Sequence, residues 1–158
     1  MKKGIGNILV WIGIGSLLFS SCDNRVIYDE YHTLEGRNWE KEEEYFFVFR
    51  IDDNTQPYDM TFEVRNNNLY PFQNLWIFLE EKQPSGEMAR DTLECMLADD
   101  FGKWLGDGMS VHQSGFPLRT HYLFPDTGSY TISFRQGMRK ESLPGIQQIG
   151  LRIEESAR

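Results

Sequence analysis

The chain has 158 residues, enough for one domain and short for two, and its 40% hydrophobic and 14% aromatic content can bury a core, which excludes wholesale disorder. Twenty-four acidic against sixteen basic residues leave a net charge of −8. Such a surface repels a nucleic-acid backbone and offers no polybasic grip on anionic lipid.

Lys2 and Lys3 precede the uncharged run Ile8 to Phe19, which is the layout of a signal peptide. As a helix that run would span about 18 Å, well short of the roughly 30 Å of hydrocarbon a membrane-crossing helix must cover. It ends in Leu18-Phe19-Ser20-Ser21-Cys22, which resembles a bacterial lipobox. Small residues fit a narrow peptidase pocket before the cut, and the thiol after it takes diacylglycerol as a thioether. Residues 1–21 are therefore expected to be removed and Cys22 to become an acylated first residue, carrying palmitate-type chains. An acylated Cys22 leaves Cys95 alone, so no internal disulfide can form and Cys95 is expected to be a small buried core residue.

Residues 22–44 are polar and acidic, and are expected to act as a tether reaching roughly 25 Å. Val26, Ile27, Tyr28, Tyr31, Leu34 and Trp39 make part of it apolar enough to dock on the domain that follows, at 45–156.

From Tyr45 the apolar period is two, the strand signature. It recurs in runs 45–51, 61–65, 74–80, 92–97, 130–135 and 149–154, separated by turn formers such as Asp52-Asp53-Asn54, Asn66-Asn67-Asn68 and Pro84-Ser85-Gly86. The pattern predicts an all-β fold, a single antiparallel β-sandwich of jelly-roll type. No window carries a sustained helical stripe, and the best candidate is a short turn around Ala98 to Trp104.

Two runs are apolar on both faces, 45–51 and 74–80. If those strands pair, Phe46, Val48, Trp76 and Phe78 form a second greasy surface. Either Trp39 and Tyr31 of the tether or another loop covers it, or it is a partner-binding patch. Residues 99–119 read as a long irregular loop, the kind that often carries function. They hold Asp99, Asp100, Lys103 and Trp104, candidate contacts for a partner or ligand, with plugging of the sandwich end as the alternative role for Trp104.

Catalytic and metal spacing is missing. His32, His112 and His121 lack zinc-ligand spacing, Gly102 to Gly108 fails the phosphate-loop pattern, and Ser114-Gly115 is no nucleophile elbow. Asp99, Asp100 and Asp107 contain no calcium-loop pattern. No enzyme activity, metal or cofactor is expected.

Several short motifs occur in a fixed order: Gln56-Pro57-Tyr58, Tyr70-Pro71 with Asn74-Leu75-Trp76, Asp91 to Cys95, Leu97 to Asp100, Gly102 to Gly106, Gln136 to Arg139, Leu143 to Ile146 and Gly150 to Glu154. Together with the lipobox, this series resembles the gliding motility-associated lipoprotein family of GldH type. The resemblance implies an envelope lipoprotein that acts with other lipoproteins and membrane proteins of a motility apparatus linked to protein secretion, with no catalytic activity. The expected role is a lipid-anchored, non-enzymatic component or scaffold of gliding motility, on the periplasmic face of the outer membrane. A carbohydrate-binding module with Trp104 and neighbouring aromatics as its platform is the alternative, and a hydrolase using Asp99, Asp100 or a histidine comes third.

Overall fold

The computed structural model describes residues 25–157, so Cys22 and the signal segment lie outside the described part. Strands account for nearly all of the order: β1 (Val26–Thr33), β2 (Asn38–Glu40), β3 (Glu44–Ile51), β4 (Tyr58–Asn67), β5 (Asn74–Lys82), β6 (Met88–Met96), β7 (Val111–Tyr122), β8 (Gly128–Gln136), β9 (Ser142–Pro144) and β10 (Ile146–Glu155). One 3-10 turn, Glu35–Arg37, links β1 to β2. No helix among the described residues is long and apolar enough to cross a membrane.

Two four-stranded antiparallel sheets run in the orders β1-β10-β4-β7 and β3-β8-β5-β6, with β2 and β9 pairing separately. Setting those two short strands aside, long strands one, eight, three and six form the first sheet and two, seven, four and five form the second. That is the jelly-roll winding. The alternation read from the sequence decides which side chains meet between the sheets. Met60, Phe62, Val64, Ile149, Leu151 and Ile153 face Phe47, Phe49, Leu75, Ile77, Ile132 and Phe134, all buried. Phe62 and Phe134 meet across the gap with ring centroids 4.7 Å apart. Each such side chain contributes about 1.5–3 kcal/mol on burial.

Two expectations need correction. The domain does not begin at Tyr45. Val26–Thr33 pairs along β10, and Leu34 and Trp39 are core residues, so the expected tether is mostly sandwich. Tyr28 and His32 turn inward to contact Phe49 and Phe47, while Asp29 and Glu30 stay exposed. The loop at 99–119 is also shorter than its sequence suggests, because residues from Val111 onward form β7, the longest strand. Gly115 and Pro117 hide it, and Pro117 is tolerated because β7 is an edge strand, its register against β4 broken by shifts at Met60. The condition that β3 and β5 pair directly is not met, since β8 lies between them.

Register fixes the two ends of the sandwich. Val26 lies beside Glu154, and Tyr58 beside Glu155 and Tyr122, so the chain enters at one pole, called proximal. Asn67 lies beside Val111 and Asn66 beside Ile146, so the connections 68–73, 97–110 and 137–145 gather at the distal pole. There the β2–β9 pair closes the core with Trp39 and Leu143, which are cross-strand partners.

Cys95 on β6 is fully buried and free, and burial pushes its thiol up to about 12. A thiol so protonated is a poor nucleophile. Under native conditions an alkylating reagent is expected to label Cys95 only as fast as the domain unfolds globally, in step with loss of the tertiary circular dichroism signal. Rapid stoichiometric labelling of folded protein would show that β6 opens locally.

Candidate functional site

The two outer faces differ in chemistry. On the first sheet, Tyr31, Glu63, Arg65, Gln113 and Gln148 form a closed polar network. Arg65 donates from Nε to Gln113 Oε1 at 3.0 Å and from Nη1 to Gln148 Oε1 at 2.7 Å, and its guanidinium lies 4.6 Å from the Tyr31 ring centroid. The Tyr31 hydroxyl donates to Glu63, and burial together with that carboxylate raises it to about 12. These groups satisfy one another.

The second sheet presents apolar groups outward. Phe46 and Val48 on β3 are 54% and 60% exposed, while Trp76 and Phe78 on β5 are 38% and 42% exposed. Between them runs β8, with Ser133 beside Phe46 and Arg135 beside both Phe78 and Glu44. The Arg135 guanidinium sits 5.8 Å from the Phe78 ring centroid, and Arg90 pairs with Glu80 at 2.8 Å along the far side. A shallow groove of about 480 Å³ runs over Phe78, Glu80, Arg90, Thr92 and Arg135. A more apolar one of about 520 Å³ lies at the distal edge, between Phe72 and Trp76 on one side and Met138 to Lys140 on the other. Its wall is held by Gly137 N–H donating to the Trp76 carbonyl at 2.7 Å, and by Trp76 N–H donating to Met138 Sδ at 3.3 Å.

Trp39 and Tyr31 do not cover this face. Trp39 is wholly buried, donating from Nε1 to the Glu43 carbonyl at 3.2 Å, and Tyr31 belongs to the outer face of the first sheet, where its ring lies across Gly150. What β1 does supply is an edge seal: His32 Nε2 donates to the Phe46 carbonyl at 3.0 Å. A carbonyl occupied in this way is withheld from a further strand.

The remaining candidates share the distal pole. Asp99 organises a turn, its Oδ1 accepting the backbone N–H groups of Phe101 and Lys103 at 2.9 Å each. Asp100 and Lys103 are exposed. Trp104 is half-buried, stacked on His112 at 5.6 Å, with Nε1 donating to Asn68 Oδ1 at 2.8 Å. One indole face and its N–H are thus engaged. Trp76 and Phe78 sit together on the sheet face, apart from the Asp99 to Trp104 turn.

Sequence reasoning passed over four residues that the pole leaves bare: Leu69, Phe101, Leu105 and Met109. Their signal was available in part. Phe101 sits in Asp99-Asp100-Phe101-Gly102 and Met109 in Asp107-Gly108-Met109-Ser110, apolar side chains inside turn-forming stretches that no periodicity requires.

Other titratable groups lead elsewhere. Glu81 is buried beside Tyr122 and Tyr130, and burial raises its carboxyl above the ordinary range against the opposing pull of Arg119. Among the described residues no group of three or more His, Cys, Asp or Glu side chains is placed to hold a metal ion.

Residues 26–153 match the family described as GldH lipoprotein. The chain belongs to the GldH lipoprotein family. A gliding motility lipoprotein GldH homolog from Christiangramia forsetii is 37% identical over 148 residues, covering 89% of this chain and 90% of its own length. The gliding motility lipoprotein GldH of Flavobacterium johnsoniae is 31% identical over 150 residues, covering 90% of this chain and 92% of its own. The matched region starts at Val26, the first residue of β1, in keeping with a domain that begins there and not at Tyr45. These relatives carry the names of motility lipoproteins and not of enzymes.

Proposed function

We propose that this protein is a lipid-anchored, non-enzymatic scaffold component of the gliding motility apparatus and its associated secretion machinery. Acylated Cys22 would hold it in the periplasmic leaflet of the outer membrane. The observation that carries the scaffold reading is the outer face of the second sheet, where Phe46, Val48, Trp76 and Phe78 stand exposed beside two grooves while the first sheet's outer face is internally satisfied. Exposed apolar area of this kind is retained in a soluble domain where a partner covers it. Phe78 lies beside Arg135 with Trp76 two residues along the same strand, and aromatic and arginine side chains are the types that dominate binding energy at protein interfaces.

The test is a Trp76→Asp, Phe46→Ser double variant. Both side chains point away from the core, so the domain is expected to fold and melt within a few degrees of the parent. In cells it should reach the envelope and label with palmitate, yet lose its crosslinks to other envelope lipoproteins and impair surface spreading or secretion. A folded, acylated variant with undiminished crosslinks and spreading would overturn the reading.

A further inference from the structure

The anchor and the barest apolar residues lie at opposite ends of the sandwich. Cys22 stands four residues before Val26, so the fully extended chain between them reaches at most about 14 Å. Val26 is at the proximal pole. Strand β4 then runs ten residues to the distal pole, about 30 Å at 3.3 Å per residue. Given acylation of Cys22, on which this inference rests, the distal pole faces away from the bilayer that holds the acyl chains.

That pole carries Phe101 and Met109, 96% and 94% exposed, with Leu69 and Leu105 also bare. They lie on connections tied to one another. Asn68, next to Leu69, accepts from Trp104 at 2.8 Å and from His112 at 3.3 Å, and Asp107 exchanges backbone hydrogen bonds with Gln113 at 2.8 and 2.9 Å across the Met109 turn. Asp99 fixes the Phe101 turn through two backbone N–H groups. The tips are thus displayed on braced turns, which lowers the entropy lost when they bind.

We propose that the distal pole is a docking site for a second protein, one presenting an apolar socket with a basic rim. Charge decides between occupants. On the 97–110 connection, which carries Phe101, Leu105 and Met109, Asp99, Asp100 and Asp107 stand against Lys103, while Arg139, Lys140 and Glu141 lie on the neighbouring 137–145 connection. A second copy docking through the same surface would set these carboxylates against their own copies, and like charges face to face at an interface cost several kcal/mol. An anionic membrane surface would repel them as well. A basic rim around an apolar pocket matches both features.

The experiment places a photoreactive phenylalanine analogue at Phe101, and separately at Leu123, in the full-length chain in cells. Leu123 is exposed on the β7–β8 connection of the proximal pole. The Phe101 probe is expected to yield one discrete adduct with another protein, and peptide mapping should find an apolar segment flanked by Lys or Arg. Asp100→Lys with Asp107→Lys should lower its yield roughly tenfold. The Leu123 probe should label phospholipid and not that protein. Adducts at Phe101 only with lipid or with a second copy, no adduct at all, or a yield unchanged by charge reversal would overturn the proposal. Palmitate labelling in the same cells separates this from failure of the anchor: a labelled chain without the Phe101 adduct rejects the docking site, while an unlabelled chain rejects the orientation and the proposed function together.

Discussion

A chain trimmed to begin at Tyr45 is expected to lose its cooperative fold, while one beginning at Arg25 keeps it. The shorter chain lacks β1, the β2 half of the cap, and the core residues Leu34 and Trp39. Loss of Trp39 alone leaves a cavity against Tyr45 and Leu143, a change of the class that costs about 3–5 kcal/mol. Domains are stable by only about 5–15 kcal/mol in total, so that one side chain is a large share. Removing β1 also strips seven pairing positions from β10 and leaves its backbone as an open edge, a template for aggregation. Thermal melts of residues 25–158 and 45–158, followed by near-ultraviolet circular dichroism, should show a sharp transition for the first and none for the second. Trp39→Ala in the longer chain supplies the graded version, folded but melting well below the parent. A sharp transition in the 45–158 fragment would mean that the first twenty residues of the described chain decorate the sandwich without completing it.

The difference between these two starting points marks where the residue pattern stops being informative. Strands β3, β5, β8 and β10 are legible because every second residue is a large apolar one that ends between the sheets, as with Phe47, Phe49 and Ile51. Strand β1 is not. Ile27, Tyr28 and His32 pack toward the core, but as an edge strand it leaves Asp29 and Glu30 in water, which looks like a solvated linker. Strand β7 is disguised by Gly115 and Pro117, acceptable on an edge and discouraging anywhere else. For the site, the two-sided apolar character of Phe46, Val48, Trp76 and Phe78 already marked an unusual sheet face. Whether anything covered that face depended on where Trp39 and Tyr31 went, and their partners are far along the chain: Leu143 lies across from Trp39, and Glu63 accepts from Tyr31. The same holds for Trp104. Its engagement rests on Asn68, in the turn after β4, and His112 on β7, which the sequence does not show to be neighbours.

Gly145→Ala is expected to be among the most damaging of the small substitutions in this chain, and to damage the distal pole first. Gly145 sits at φ +85, in the turn between β9 and β10, and accepts the Asn67 N–H at 2.9 Å. A Cβ there would lie 2.3 Å from the Tyr70 nitrogen, 2.8 Å from Asn67 Oδ1 and 2.8 Å from the Leu69 carbonyl carbon. Two of those three atoms are backbone, so no rotamer change relieves the contact. Left-handed strain costs roughly 1–2 kcal/mol and overpacking typically another 1–3 kcal/mol. A sum of about 2–5 kcal/mol should lower the melting temperature by roughly 6–20 °C in a domain of this size. Gly36 provides the control, since at φ +62 its Cβ would meet nothing within 4 Å. Gly36→Ala therefore carries the strain alone, about 1–2 kcal/mol. The displaced backbone in Gly145→Ala is the 67–70 turn, and Asn68 in that turn holds both Trp104 and His112. Hydrogen exchange should accordingly quicken across 97–110 in this variant while β1 and the proximal ends of β4 and β10 keep their protection. Equal melting losses for the two glycine variants, with no local change in exchange, would show that the turn yields freely. The Phe101 and Met109 tips would then not be braced through Asn68.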